Sequence, residues 1–443
     1  MTFLIYNAVL LLLSPLIALY VGWRIFVSRK SRYSWRQQLG GVVLPESVRV
    51  RDRIWIHAVS VGESVASAAV VHELKQSLPD VAVVMSTTTE KGQEMAHKSV
   101  KDADWFFYYP FDLAPCVARS LDHVTPVVFA STDTEIWPNL LHFAHGRGVK
   151  TAMINGTVSD KTLAGARRIA WLYRWAMSNI DRFCMQSQAD ADRIISLGAD
   201  PARVIVTGNC KADEAPEPLT DSDKEALLST FKFTPESLIF VAGSTNPGED
   251  GPVMDAFVAA RASHPSLRLI IAPRQIERRE EICGIAKSKG LACGWRSDPA
   301  TITGAQDVVI LDTFGELAKV YGIASVTFVG GSLIPRGCHS ILQPIAQGKP
   351  VFFGPYTFKA KDLVAQARAA GVGFQIKDGR ELGREITAML GDAALLDDIR
   401  ARCDKMMQAN LGASKRTADE LVKLYRASLG MDLESIPEKN AGI

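Results

Sequence analysis

"WIHAVSVGE" occupies Trp55 to Glu63. It opens as a run of strand-forming residues and closes in a small-residue turn followed by a carboxylate. A strand buried on both faces reads as such a continuous apolar run, and in an open parallel sheet its carboxyl end faces the ligand crevice. The stretch predicts a strand over 54–59, a turn through Ser60 and Gly62, and a helix beginning near Glu63. A carboxylate so placed is a candidate general base, and it also suits the positive end of a helix dipole.

The same alternation continues outward. Apolar runs at 81–87, 105–109, 127–130, 151–155, 183–186 and 204–207 join 54–59 in one series. A second series runs through 238–242, 268–272, 308–311, 326–329, 350–353 and 373–376. Helical patterns lie between them, at 64–77 and 189–197 for example. Strands alternating with helices indicate an α/β class with parallel sheets. Between the series, "KADEAPEPLTDSDKE" (residues 211–225) is acidic, rich in proline and poor in apolar residues, which reads as a linker. A chain of 443 residues is too long for one ordinary core. Two doubly wound domains, 31–215 and 216–443, are therefore expected to face each other across a cleft.

The formal net charge of +2 carries no basic excess toward nucleic acid, and no nucleic-acid partner is expected. Seven scattered cysteines form no CxxC pair, so neither a disulfide framework nor a zinc ribbon is indicated, and a reducing compartment fits. The N-terminus departs from the globular pattern. "FLIYNAVLLLLSPLIALYVGW" carries no charge over its 21 residues, 3–23, and about 20 apolar residues cross a bilayer. Arg24, Arg29, Lys30, Arg32 and Arg36 follow it. That order is the reverse of a cleavable signal, and it predicts a membrane anchor over 1–30 with the N-terminus outside and the rest cytoplasmic.

Several strand ends carry polar groups. In "STDTEIWPN" (131–139), Asp133 and Glu135 lie two apart, so an extended segment points them the same way. "TGNCKAD" (207–213) offers Lys211 as a cation. "AGSTNPGED" (242–250) resembles an anion-cradling turn, although no GK[ST] makes it a Walker A motif. In "APRQIERRE" (272–280), Arg274 stands where it would clamp a phosphate. Gly315 in "DTFGEL" (312–317) permits close backbone approach to a ligand. "VGGSLIPRGCHSILQPIAQGKPVFFGP" (329–355) is the most specific stretch. It predicts a helix from Ser340 to Gly348, with its first amides facing a phosphate or sugar and Gln343 placed to bond a ribose.

In this order, with "STTTEKGQE" (86–94), these motifs resemble the 3-deoxy-D-manno-octulosonic acid (Kdo) transferases of lipopolysaccharide biosynthesis, from the N-terminus to about Gly373. The resemblance implies a GT-B glycosyltransferase of two Rossmann-like domains behind an N-terminal anchor. It implies inverting transfer of Kdo from CMP-Kdo to a tetraacylated lipid A precursor at the cytoplasmic face of the inner membrane, without metal or cofactor. It implies that Glu63 is the general base and that Asp133 and Lys211 stabilise the transition state. Pro273, Arg274, Phe314, Gly315, Glu316, Ser340, Ile341, Leu342 and Gln343 would bind CMP, and Ser60, Gly62 and Glu135 would meet the acceptor. The chain departs from the family at three places. Asp133 stands for a usual Glu, Asn246 for a usual His, and "GCHSILQ" (337–343) for a usual GGHNPLE. Two other readings remain: a GT-B enzyme using another nucleotide sugar, and a membrane-bound carbohydrate-binding protein without catalysis. Retention of Glu63, Lys211 and Arg274 argues against the second.

Overall fold

A computed structural model of the chain describes residues 1–26, 34–59, 61–213 and 215–431. The chain divides into two compact units, Met1–Glu214 with Asn410–Ile443, and Ala215–Ala409.

Unit 1 holds strands β1 (Arg53–His57), β2 (Ala82–Thr87), β3 (Trp105–Tyr108), β4 (Val128–Thr132), β5 (Lys150–Gly156), β6 (Arg182–Met185) and β7 (Val204–Val206). They form one parallel sheet in the order β3-β2-β1-β4-β5-β6-β7. The chain winds outward from β1 to β3, then returns to the other side of β1 with β4. That reversal opens a crevice at the carboxyl ends of β1 and β4. Buried apolar side chains on both faces explain the continuous runs. Trp55 and Phe129 pack edge-on with ring centroids 5.2 Å apart, and the buried Trp55 Nε1 donates to Ser86 Oγ at 2.7 Å.

Unit 2 repeats the plan. Its strands are β8 (Ile239–Thr245), β9 (Arg268–Pro273), β10 (Cys293–Trp295), β11 (Val308–Ile310), β12 (Val326–Val329), β13 (Val351–Phe353) and β14 (Gly373–Gln375). The parallel order β10-β11-β9-β8-β12-β13-β14 reverses between β8 and β12. Two Rossmann-like units of this kind are the architecture of GT-B enzymes. Every strand except β10 falls on an expected run.

Two boundaries differ from expectation. The C-terminal segment does not stay with 216–443: from Asn410 it returns to unit 1. The helix Ala413–Ser428 buries Ala418, Leu421, Val422 and Leu424 in the cluster that contains Val70, Val71 and Leu74 of the helix Val61–Ser77. The Asp213 carboxylate fixes its start by accepting from Gly412 N at 2.7 Å and Ser414 N at 2.6 Å. The acidic linker is also shorter than 211–225. Thr220 caps a helix, Asp221–Thr230, by accepting from Asp223 N at 3.1 Å. Asp221 and Asp223 stand in that helix's first turn, where they favour its dipole.

The N-terminal segment forms a helix, Thr2–Phe26, with Pro15 inside it. Its first turns dock on unit 1. Tyr6 OH donates to Asp112 Oδ2 at 2.9 Å, and Asn7 exchanges bonds with the Asn139 amide at 2.8 and 3.0 Å. The Phe3 ring lies 4.5 Å from His142. The expected membrane-spanning anchor over 1–30 is therefore not supported: the helix start is bonded to unit 1. Arg29, Lys30 and Arg32 of the basic flank lie outside the described residues, as does the side chain of Arg24. Among the described residues, no helix is long and apolar enough to cross a membrane.

Candidate active site

In unit 1 the crevice residues follow β1 and β4. Ser60 lies outside the described residues; Gly62 is half-buried in the first turn of Val61–Ser77. Glu63 is 7% exposed, and its Oε2 accepts from Val59 N at 2.6 Å, so the carboxylate folds back over the turn that precedes its helix. Ser67, one turn on, donates to Glu63 O at 2.8 Å and lies 3.0 Å from Thr132 Oγ1. That contact ties the helix start to the end of β4, beside Asp133.

Asp133 adopts φ +58°, a left-handed conformation that Asp tolerates better than most residues. Its Oδ1 accepts from Asn155 Nδ2 at 2.8 Å. Asn155 also has a positive φ, +51°, and its Oδ1 accepts from Cys210 N at 3.0 Å. One fully buried carboxamide thus joins the ends of β4 and β5 to the turn Cys210–Ala212, which carries Lys211. Asn209 caps that turn by accepting from Lys211 N at 3.0 Å. Asn155 was not singled out from the sequence. Its one signal is the Asn-Gly pair at a strand's end, which favours positive φ.

Glu135 feels the charges of Glu63 and Asp133. Burial first, and then these two carboxylates, push it up to about 7. The structure therefore brings Glu63, Asp133 and Glu135 into one electrostatic cluster. His57, on the strand that leads to Glu63, is stacked on Tyr109 at 3.8 Å with Nδ1 2.9 Å from Ser86 Oγ. Burial holds it down to about 3, so it stays neutral at physiological pH.

In unit 2 the loops after β8 and β12 meet at Glu249. This fully buried carboxylate accepts from the backbone N–H groups of Asn246 (3.0 Å), Gly331 (2.7 Å), Ser332 (3.0 Å) and Leu333 (2.9 Å). The anion that the "AGSTNPGED" turn helps to hold is thus the protein's own, and those amides are occupied. The two loops pass so closely that a Cβ on Gly330 would stand 2.4 Å from Ser244 O.

Pro273 is buried at the end of β9, and Arg274 follows it exposed, with its N donating to Thr245 O at 2.8 Å. The His339 pKa is lowered by burial and then by the charges of Arg274 and Lys359, which brings those three groups together. Asn246 Nδ2 lies 3.4 Å from His339 Nε2. Gly315 takes φ +84° with open space around its Cβ position, next to an exposed Phe314. Glu316 accepts from Arg296 at 2.9 Å. Ser340 is exposed and Gln343 half-buried, whereas Ile341 and Leu342 are buried. The expected helix 340–348 is only Leu342–Ala346. The preceding loop is held differently, by Cys338 N donating to Tyr356 O at 2.8 Å and His339 N to Gly330 O at 3.2 Å. Among the described residues, no group of three or more His, Cys, Asp or Glu side chains has the arrangement to hold a metal ion.

Residues 31–214 match the family model described as 3-deoxy-D-manno-octulosonic-acid transferase (kdotransferase). The chain is 31% identical over 339 residues to a bifunctional glycosyltransferase/methyltransferase of Fusobacterium nucleatum; the match covers 76% of this chain and 52% of that protein, so the chain spans about half the relative's length. It is 28% identical over 429 residues to the 3-deoxy-D-manno-octulosonic acid transferase of Haemophilus influenzae, covering 95% of this chain and 98% of that one. A solved structure of UDP-GlcNAc 2-epimerase from Neisseria meningitidis, bound to UDP-GlcNAc, superposes with a TM-score of 0.57 over 84% of this chain and all of the other. At 13% identity, that likeness speaks for the fold alone. In its N-terminal unit and against a relative matched over nearly its full length, the chain is similar to 3-deoxy-D-manno-octulosonic-acid transferases.

Proposed function

We propose that the chain transfers Kdo from CMP-Kdo to a hydroxyl of a tetraacylated lipid A precursor, with inversion at the anomeric carbon. The observation that carries this reading is the carboxylate cluster of Glu63, Asp133 and Glu135 at the β1/β4 reversal, inside the residues that match the Kdo transferase model. Glu63 takes the proton of the attacking hydroxyl, whose oxygen bonds to the anomeric carbon while the bond from that carbon to the CMP phosphate oxygen breaks. The electron pair leaves with CMP. A hydroxyl is a weak nucleophile until its proton has a destination, and a positioned base supplies it.

Lys211 and Asp133 stabilise the charge that develops, and Asn155 fixes where both stand. Ser60, Gly62 and Glu135 contact the acceptor. On unit 2, Arg274 meets the CMP phosphate, with the exposed Phe314, Gly315 and Ser340 and the half-buried Gln343 around the nucleotide. Pro273, Glu316, Ile341 and Leu342 complete that site through backbone and packing.

The N-terminal helix serves as the membrane contact. Leu4, Leu11, Leu12, Leu16 and Leu19 are exposed while Tyr6 and Asn7 dock on unit 1. An apolar face of that kind beds into one leaflet, which would hold the enzyme on the cytoplasmic side of the inner membrane, where its acceptor resides.

Donor identity is tested by thermal stabilisation with CMP against UDP. CMP at about 100 times its Kd should add about 2.7 kcal/mol of stability. Stabilisation by UDP and not CMP would point to another nucleotide sugar, and stabilisation by neither would point to a protein that has lost the reaction.

A further inference from the structure

Unit 2 has a polar cavity at the opposite end of its sheet from Arg274. It has a volume of about 290 Å³ and lies where the chain enters β8, β12 and β13, with Ser237, Ser325 and Lys349 just ahead of those strands among its walls. Strands of three to seven residues, rising about 3.3 Å per residue, put roughly 10–20 Å between the two ends of the sheet. The cavity is thus separate from the groups assigned to the nucleotide.

Three cations line it: Lys224, Lys349 and Arg400. Lys224 pairs with Asp221 at 2.8 Å, and Asp404 is the one carboxylate in the wall. The wall itself is built. Gln347 accepts from Leu219 N at 3.0 Å and donates to Glu217 O at 2.8 Å, which pins the incoming chain as one side of the cavity. Gly348 takes φ +70°, and a Cβ there would stand 3.1 Å from Arg400 Cγ, so the glycine lets that side chain lie across the turn. Lys349 is the central group. Burial, and then Lys224 and Arg400, lower its pKa to about 8; the Cys403 thiol acts the other way. Packing like charges together at a half-buried ammonium is unfavourable unless an anion completes the set.

We infer that this cavity binds a phosphate monoester through Lys224, Lys349 and Arg400. Its volume is at the small end of ligand pockets, about 300–1,000 Å³, which suits a phosphorylated small molecule or a phospholipid headgroup better than a nucleotide sugar. The inference does not depend on the proposed transfer reaction.

The test is thermal unfolding of the full chain in detergent, at constant ionic strength, with inorganic phosphate and with glycerol 3-phosphate. Lys349→Met and Lys224→Gln remove the cavity's charges, and Arg274→Gln removes the cation at the other end of the sheet. A ligand at about tenfold excess over its Kd should raise the midpoint by about 2–4 °C in the wild type and in Arg274→Gln. Lys349→Met should lose the response, and Lys224→Gln should weaken it even if the Lys349 variant folds poorly. No rise in the wild type, an equal rise in all variants, or a loss confined to Arg274→Gln would each overturn the assignment. Flotation on vesicles with and without phosphatidic acid separates the two sources. A response to glycerol 3-phosphate with unchanged flotation of Lys349→Met assigns a soluble phosphate ester. Reduced flotation of that variant on the acidic vesicles alone assigns a headgroup.

Discussion

Asn155 donates to Asp133 Oδ1 at 2.8 Å while its own oxygen accepts from Cys210 N at 3.0 Å. A single buried side chain thereby sets both the carboxylate after β4 and the turn that carries Lys211. Asn155→Ala leaves Cys210 N–H without its partner and Asp133 without this bond. Losing a buried hydrogen bond of this kind costs about 1–3 kcal/mol. If that cost falls on the transition state, turnover should drop by about 10- to 100-fold with donor KM little changed. Steady-state kinetics alongside circular dichroism check this. A rise in donor KM at unchanged turnover would remove Asn155 from the positioning role.

Glu63 accepts from Val59 N, and Glu63→Gln keeps the size and one acceptor of the side chain. The variant should fold normally and respond to CMP as the wild type does. Its turnover should fall by about 10²–10⁴, the usual worth of a positioned base. Turnover within a factor of a few of wild type would exclude Glu63 as the base.

Glu135 gives a pH-dependent signal. A carboxyl whose folded pKa stands above its unfolded value holds its proton more tightly in the native state. Stability therefore declines as pH rises from the ordinary carboxyl range through about 7. Glu135→Gln should flatten that decline and, allowing for the group's partial exposure, stabilise the protein by about 1–2 kcal/mol at pH 8. Urea unfolding at pH 5.5 and pH 8 measures it. An unchanged slope between the two would show that Glu135 does not hold its proton near neutrality.

Glu249 is bonded to four backbone N–H groups from two loops. In Glu249→Gln an amide nitrogen replaces one acceptor and faces donors at close range. Breaking a buried, charge-assisted network of this size should cost about 3–5 kcal/mol. Unit 2 should unfold at lower denaturant, and stabilisation by CMP should vanish with it. A variant as stable as the wild type would mean that the loops hold their course without the carboxylate.

Much of the fold was legible because parallel strands buried on both faces leave continuous apolar runs, and loops at their carboxyl ends collect the polar groups. β10 was missed for the same reason: Cys293, Gly294 and Trp295 make a three-residue edge strand with no run to see. The return of Ala413–Ser428 to unit 1 was not legible, since an amphipathic helix shows which face it buries but not against which unit. At the site, Glu63, Asp133 and Lys211 stood out as charged residues after strands. Asn155 did not, because its role rests on a left-handed backbone and two bonds to distant segments. The stretch around Glu249 read as an anion-cradling turn, since sequence alone does not say whether an amide nest faces a ligand or an internal carboxylate. The N-terminal helix was legible as apolar, but its docking through Tyr6 and Asn7 was hidden among the leucines.

The central claim is Kdo transfer with Glu63 as base. The direct measurement is the mass of tetraacylated lipid A precursor after incubation with CMP-Kdo and the purified, detergent-solubilised protein, wild type beside Glu63→Gln. The account predicts a gain of one or more Kdo units with release of CMP in the wild type, and almost none in the variant. A folded wild type that leaves the acceptor mass unchanged, or a variant that transfers as fast as the wild type, would contradict it.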